Sequence, residues 1–161
     1  MKGGPEGDGR SDGEVYEAHA AMLVRLATLA VGPHDAPDVV SAAVVRALAS
    51  PQWPLVRNHG AYLVRSVQNE ARRHLNSTAR RAAREERTAR REPIGDAAVD
   101  PTVADAVRAL SGRQQAVVLL TYWDDMKAAD VAAQLGISEG AVKRHLARAR
   151  DRLRKVLDGT P

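Results

Sequence analysis

Apolar residues return along this chain with the period of a helix, in short bursts separated by proline, glycine or charge. Val15, Met22, Leu23, Leu26 and Leu29 predict an amphipathic helix from Val15 to Ala30. GPHDAPD ends it, and Pro37 is tolerable in the first turn of a second helix, from about Asp38 to Ala49. Val40, Val44, Ala47 and Leu48 line one side of that helix. SPQWPLVRNHG, with two prolines and a glycine, predicts a loop. A third helix follows, roughly Ala61 to Leu75, using Leu63, Val67, Ala71 and Leu75 for burial.

The bursts then stop. Between Asn76 and Pro93 there is no Val, Leu, Ile, Met or aromatic residue, and a segment with nothing to bury cannot join a core. Arg80, Arg84, Arg87 and Arg91 would share a face if it were helical, with Glu85 and Glu86 opposite. A solvated tether is the plain reading, and contact of a basic tether with nucleic acid the other. Past it, Val103, Val107 and Leu110 open a short helix, and Ser111 can cap the next, whose apolar face is Ala116, Val117, Leu119, Leu120 and Trp123. Asp124 and Asp125 break that helix, and Ala128 to Leu135 forms another, with Val131, Ala132 and Leu135 inward. Strand-like alternation is missing throughout. The fold class read from this pattern is all-α: two small helical domains, residues 14–75 and 102–158, joined by a charged flexible linker over 76–101. Residues 1–13 hold five glycines and little apolar content, which predicts a disordered tail.

The last burst changes the picture. In LGISEGAVKRHLARARDRLRKVL, Val142, Leu146, Ala149, Leu153 and Val156 recur at steps of four, three, four and three. Lys143, Arg144, Ala147, Arg148, Arg150, Arg152, Arg154 and Lys155 fall mostly off that stripe, and only Glu139 and Asp151 oppose the positive charge. Ser138 is placed to cap this helix, and Gly136 to make the turn before it. A short helix, the turn Gly136, Ile137, Ser138 and a longer basic helix make a helix-turn-helix. Its small Ala132 and Ala133 let the helices approach, and its second helix suits a major groove, where Arg and Lys match guanine O6 and N7. Packing alone is the bland alternative for such a pair.

Bulk properties agree and narrow the field. The chain has 161 residues, a formal charge of +4 and no cysteine, which removes disulfides, thiolate zinc sites and cysteine nucleophiles. Twenty arginines against four lysines suit a polyanion partner or reflect a GC-rich genome. Aromatics are 3% of residues and phenylalanine is absent, so cores of Leu, Val, Ala and Met favour helix packing. No apolar run approaches a membrane span and MKGGPEGDGRSDGE is too polar for a signal peptide, so a soluble cytoplasmic protein without membrane insertion is expected.

VRALSGRQQAVVLLTYWDDMKAADVAAQLGISEGAVKRHLARARDRLRKVL resembles region 4 of bacterial sigma factors of the extracytoplasmic-function (ECF) group. The resemblance rests on Leu110, Arg113–Gln114, Tyr122, Asp124, Asp130–Val131–Ala132, the run from Leu135 to Gly140, and Arg148–Ala149–Arg150. More faintly, DVVSAAVVRAL and AYLVRSVQNEARRHL resemble region 2 of the same family. Some positions depart from its pattern: Ser41, Ala42 and Val44 replace a glutamine-glutamate and aromatic, and Ser111 a proline. Asp125 replaces a glycine and can still visit a left-handed conformation, and Lys127 replaces a serine or threonine cap and cannot cap.

The resemblance implies a promoter-specificity subunit, without catalysis or cofactor of its own, that binds core RNA polymerase and promoter DNA. It places Lys143, Arg144, Ala147 and Arg148 on the upstream (−35) element, with Arg150 beside them on phosphates or polymerase. It places Asn69 on a base flipped from the downstream (−10) element, with Arg65, Arg72 and Arg73 around it. It implies that Asp38, Val39, Ser41, Ala42 and Arg46 dock on the β′ clamp helices of polymerase, that the β flap is a second contact, and that an anti-sigma factor is a common partner. The rival readings are a stand-alone helix-turn-helix regulator, a helical protein-binding scaffold, and an enzyme. For the last, His34, Asp35 and Asp38, even with His19, His59, His74 and His145, form no recognised ligand pattern.

Overall fold

The computed structural model describes residues 10–85 and 101–159, with the side chains of Glu85, Pro101, Thr102 and Ala104 left aside. Seven α-helices follow in order: α1 Asp12–Val31, α2 Ala36–Leu48, α3 His59–Glu85, α4 Pro101–Arg108, α5 Gly112–Val118, α6 Ala128–Leu135 and α7 Glu139–Leu157. No strand occurs among the described residues. The helix begins earlier than the apolar pattern predicts, because Ser11 and Glu14 form a capping box. The Glu14 amide donates to Ser11 Oγ at 3.3 Å and the Ser11 amide donates to Glu14 Oε2 at 2.7 Å. Residues 11–13, expected in the tail, are therefore the cap and first turn of α1; residues 1–9 of the expected tail lie outside the described residues.

Trp53 fills the corner between α2 and α3, in the stretch expected to be a plain loop. A short 3-10 turn over Trp53–Leu55 buries the indole, whose Nε1 donates to Asp12 Oδ1 at 2.8 Å. The ring tilts against His59 with centroids 4.4 Å apart and meets Tyr62 edge-on. α3 then runs ten residues past Leu75, to Glu85, into the expected linker. Residues 75–84 are exposed, as a segment with nothing to bury must be, and Leu75 itself lies outward because the helix has already passed the core. Alanine and arginine, both strong helix formers, carry the extension without tertiary packing.

In the second half, Ser111 caps α5 and Gln114 reaches back to it in a second capping box. α5 opens into a π-helical turn over Leu119–Trp123, closed by the Asp124 amide on Leu119 O at 3.2 Å. The wider turn rotates Trp123 away from the apolar face, where it was expected, and leaves it 74% exposed. Asp125 takes the left-handed conformation expected of it, at φ 49°, and Lys127 starts α6 without a side-chain cap. Gly136 ends α6 at φ 62°, and Ile137 N–H donates back to Ala132 O at 3.0 Å. A side chain at Gly136 would be strained by that φ and would meet Ala61 Cβ at 3.2 Å. Ser138 Oγ then accepts from the Ala141 amide and starts α7.

The two halves are not separate bodies here. α1 packs on α2 and α3, and also on α4 and α5, while α3 packs on α6. One hydrophobic cluster runs from Leu23, Leu63 and Val64 through to Leu120, Val131 and Val142. Polar bonds sew the seam: Arg25 Nη2 holds both oxygens of Asp124 at 2.7 and 2.9 Å, and Asn58 Nδ2 donates to Ala133 O at 2.7 Å. Gln68 Nε2 donates to Gly112 O at 2.8 Å. The two halves expected at 14–75 and 102–158 are in contact here, and residues 86–100 of the expected linker lie outside the described residues. Helical periodicity shows which face of each helix is apolar but not which helix of the other half covers it.

Candidate nucleic-acid interface

α7 divides along its length. Val142, Leu146 and Ala149 are buried against α4, α5 and α6, which fixes the helix in rotation. That seating turns Lys143, Arg144, Ala147 and Arg148 outward, and all four are exposed on the side away from the core. Glu139, at the helix N-terminus, is the acidic residue in the first turn. Arg150 is placed differently from its neighbours: its Nε donates to Tyr122 Oη at 2.7 Å and its guanidinium lies 5.7 Å from the ring centroid. It braces α7 to the π-turn, which makes it a supporting residue for the face. Tyr122 was legible as a motif position but not as this partner. Leu153 is half-buried, while Val156, on the same stripe, is 40% exposed where the helix outruns its support.

His145 sits on the flank of this face. Burial, followed by the charges of Arg113, Arg148 and Arg144, holds its imidazole below the ordinary range, so the ring is disposed to neutrality among arginines.

α3 carries the second group. Arg65, Asn69, Arg72 and Arg73 are all exposed. Arg73 Nη1 pairs with Glu70 Oε2 at 3.1 Å, and Arg46 Nε approaches the same oxygen at 3.4 Å. Asn69 and Arg72 line a cleft of about 290 Å³ between the halves, together with Leu26, Ala30, Arg108, Leu110 and Arg113. Burial, and then the Arg65 guanidinium across the seam, disfavour the charged form of Arg113. Arginines from both halves, Arg72 with Arg108 and Arg113, thus line one cleft.

The third group lies on α2. Asp38, Ser41, Ala42 and Arg46 form its outer face, but Val39 is 3% exposed and packs inward, so it cannot touch a partner. The helical step from Asp38 leads to Ser41, Ala42 and Val45, and Val45 is 68% exposed. Val45 was given no role in the sequence reading; its phase, opposite Ala43 and Ala47, was the available signal.

Among the described residues no three His, Asp or Glu side chains converge as a metal site, and no helix is long and apolar enough to cross a membrane. Of the residues weighed for a metal, Asp35 Oδ2 bonds His74 Nε2 at 3.0 Å.

His19 titrates at the seam. Burial, followed by the Arg10 charge, lowers its pKa, its Nδ1 meets Gln134 Nε2 at 3.0 Å, and Gly60 abuts the ring so closely that a Cβ there would lie 2.7 Å away. The neutral ring accepts the Gln134 proton; a protonated ring cannot. The unfolded chain takes up that proton first as pH falls through about 6.5, so stability held at pH 7.5 is lost on acidification. The melting temperature is expected to fall between pH 7.5 and 5.5, and to fall less in His19→Gln. An equal fall in both proteins counts against this role.

The family model described as sigma-70, region 4 matches residues 102–153. The chain is 32% identical over 150 residues to the RNA polymerase sigma-E factor of Streptomyces avermitilis, covering 86% of this chain and 79% of that protein. It is 30% identical over 155 residues to the ECF RNA polymerase sigma factor SigL of Mycobacterium tuberculosis, covering 89% and 86%. In fold it is similar to the sigma factor RpoE of Bartonella quintana, solved with the anti-sigma factor NepR, at a TM-score of 0.59 and 20% identity over 92% of this chain and 98% of that one. With a helix-turn-helix whose basic face stands clear of its core, and relatives matched over most of their length, this chain belongs to the ECF sigma factors of RNA polymerase.

Proposed function

We propose that α7 reads the −35 element, α3 contacts the −10 element, and the outer face of α2 docks on core RNA polymerase, so that the chain directs transcription initiation. The observation that carries this most directly is the unobstructed face of Lys143, Arg144, Ala147 and Arg148 on a helix whose opposite side is packed. Arg148 is the residue for a bidentate bond to guanine, Lys143 and Arg144 for guanine or phosphate, and Ala147 for a methyl contact. Asn69 has the amide to hold an unstacked base, with Arg65 and Arg72 nearby and Arg73 partly occupied by Glu70. Asp38, Ser41, Ala42, Val45 and Arg46 make the clamp-docking face on α2, and the second half carries the contact to the β flap. Residues 14–75 and 102–158 act as the two reading units in this assignment. A regulatory subunit of polymerase performs no catalysis itself and works in the cytoplasm. An anti-sigma partner belongs to the same reading, since a sigma factor of this fold was solved with one.

Reading both elements at once requires the halves to part. Elements about 25 base pairs apart are separated by ~85 Å of duplex at ~3.4 Å per pair. A closed body of this length has a radius of gyration near 15 Å. The segment from residue 86 to 100 can reach ~50 Å when extended, and the two halves span the remainder. Tethering then makes each contact raise the effective concentration of the other.

Full-length protein added to Streptomyces core polymerase, transcribing fragmented GC-rich genomic DNA, is expected to initiate at a few sites sharing two spaced boxes. Duplex binding with no specific initiation would instead identify a stand-alone regulator.

A further inference from the structure

The extension of α3 beyond its own core has a pattern that its packing does not require. Arg73, Asn76, Ser77, Arg80, Arg81 and Arg84 recur at steps of three, one, three, one and three, which gathers them on one side of the helix. They line a shared groove along that side. Helical phase carries the same side back through Asn69 and Arg65, so the stripe continues the face assigned above to the −10 element. From Ala71 to Arg84 there is no acidic residue, and the one carboxylate before them, Glu70, is already shared by Arg46 and Arg73. Among the described residues Arg80, Arg81 and Arg84 make no ion pair. Arginines three and four residues apart on a helix repel one another, and an anion laid along them relieves that repulsion.

We propose that residues 73–84 form a track for the DNA backbone, gripping phosphates of the duplex immediately upstream of the −10 element. This rests on the assignment of α3 to that element. Three observations favour DNA over other polyanions: continuity with the face assigned to the −10 element, single-sign charge along one face, and chain order. In chain order the end of α3 comes between the unit assigned to the −10 element and the half assigned to the −35 element. From Arg73 to Arg84 the track is about 16 Å long at 1.5 Å per residue. That length passes about five phosphates of one strand at ~3.4 Å each. The contacts carry no sequence information; they fix register and add affinity whatever the promoter.

The test uses holoenzyme and a fluorescein-labelled promoter fragment recovered from the initiation experiment. It is prepared once with full upstream duplex and once truncated at the upstream edge of the −10 element. In R80A/R81A/R84A, alanine preserves helix propensity, so folding is retained and checked by circular dichroism. On the full fragment this variant is expected to bind at least tenfold more weakly, with the slope of log affinity against log salt smaller by about 2 to 3. On the truncated fragment it should match the wild type, and the corresponding triple lysine variant should recover most of the binding. Unchanged affinity and slope on the full fragment would overturn the track. So would an equal loss on both fragments, which would place the stripe on polymerase. Asn69→Ala separates the underlying assignment: its effect should depend on the −10 sequence and appear on both fragments. If Asn69→Ala is silent while the triple variant loses upstream binding alone, Asn69 is removed from base reading, α3 stays beside the −10 element and the track stands. If only Asn69→Ala acts, the track alone fails.

Discussion

Arg148→Ala should lower initiation from this factor's promoters by roughly 5- to 150-fold, corresponding to the ~1–3 kcal/mol that one bidentate arginine–guanine contact contributes to discrimination. The loss should be confined to one base pair of the −35 element. A template carrying another base there should be transcribed weakly by the wild type and no worse by the variant. That double comparison separates base reading from general attraction to DNA. Lys143→Ala makes the contrast if Lys143 lies on a phosphate: a smaller, sequence-independent loss with a salt slope reduced by about 1. The variant should fold normally, because Arg148 is exposed and the side of α7 that seats the helix is Val142, Leu146 and Ala149. A uniform loss over all −35 sequences would remove Arg148 from base readout.

The second large effect concerns stability. Leu23 is fully buried in α1, the helix that touches α2 and α3 of the first half and α4 and α5 of the second. Leu23→Ala should cost about 3 kcal/mol, within the 2–5 kcal/mol range of buried leucine truncations. That is a large part of the whole stability of a small protein. Because one cluster spans both halves, the loss should be felt in both. With Trp123 replaced by Phe, Trp53, buried in the first half, reports its unfolding by fluorescence, and amide exchange at Val117, Leu120 and Val131 reports on the second. Both signals should shift together in urea. A shift in Trp53 alone would mean that the halves hold separate cores in solution.

Helix by helix, much of this structure was legible. The 3.6-residue period located most of the core, but Leu48, Leu75 and Val103, read as inward, are exposed, and α4 buries Ala106 instead. Ser111 and Ser138 marked helix starts by side-chain chemistry, and Gly136 a helix end by its backbone freedom. The capping box at Ser11 was present as S-x-x-E but hidden inside a glycine-rich stretch that read as tail. The extension of α3 was hidden by the opposite rule: lacking apolar residues predicts lack of burial, which holds, but says nothing against helix in a run of alanine and arginine. Trp123 was misplaced because an α-helical phase does not apply through a π-turn. Val39, placed on the docking face by the resemblance, packs inward, and Val45, which was given no role, stands outward, because helical phase decides the face. Of the candidate site, the outward set on α7 needed only the position of the apolar stripe. The seam was beyond reach, because Arg25, Asn58 and Gln134 find partners 75 or more residues away in the chain.

Those distant bonds have a consequence for how strongly the factor acts. In the proposed mode of action only the parted form can occupy both elements, so the apparent dissociation constant is the intrinsic one divided by the fraction of molecules already parted. Each 1.4 kcal/mol held in the seam weakens every promoter tenfold, without altering their rank. Arg25 and Asp124 touch no base in this assignment, yet exchanging them would act as a gain control on the whole regulon, whereas exchanging Arg148 would change which genes belong to it.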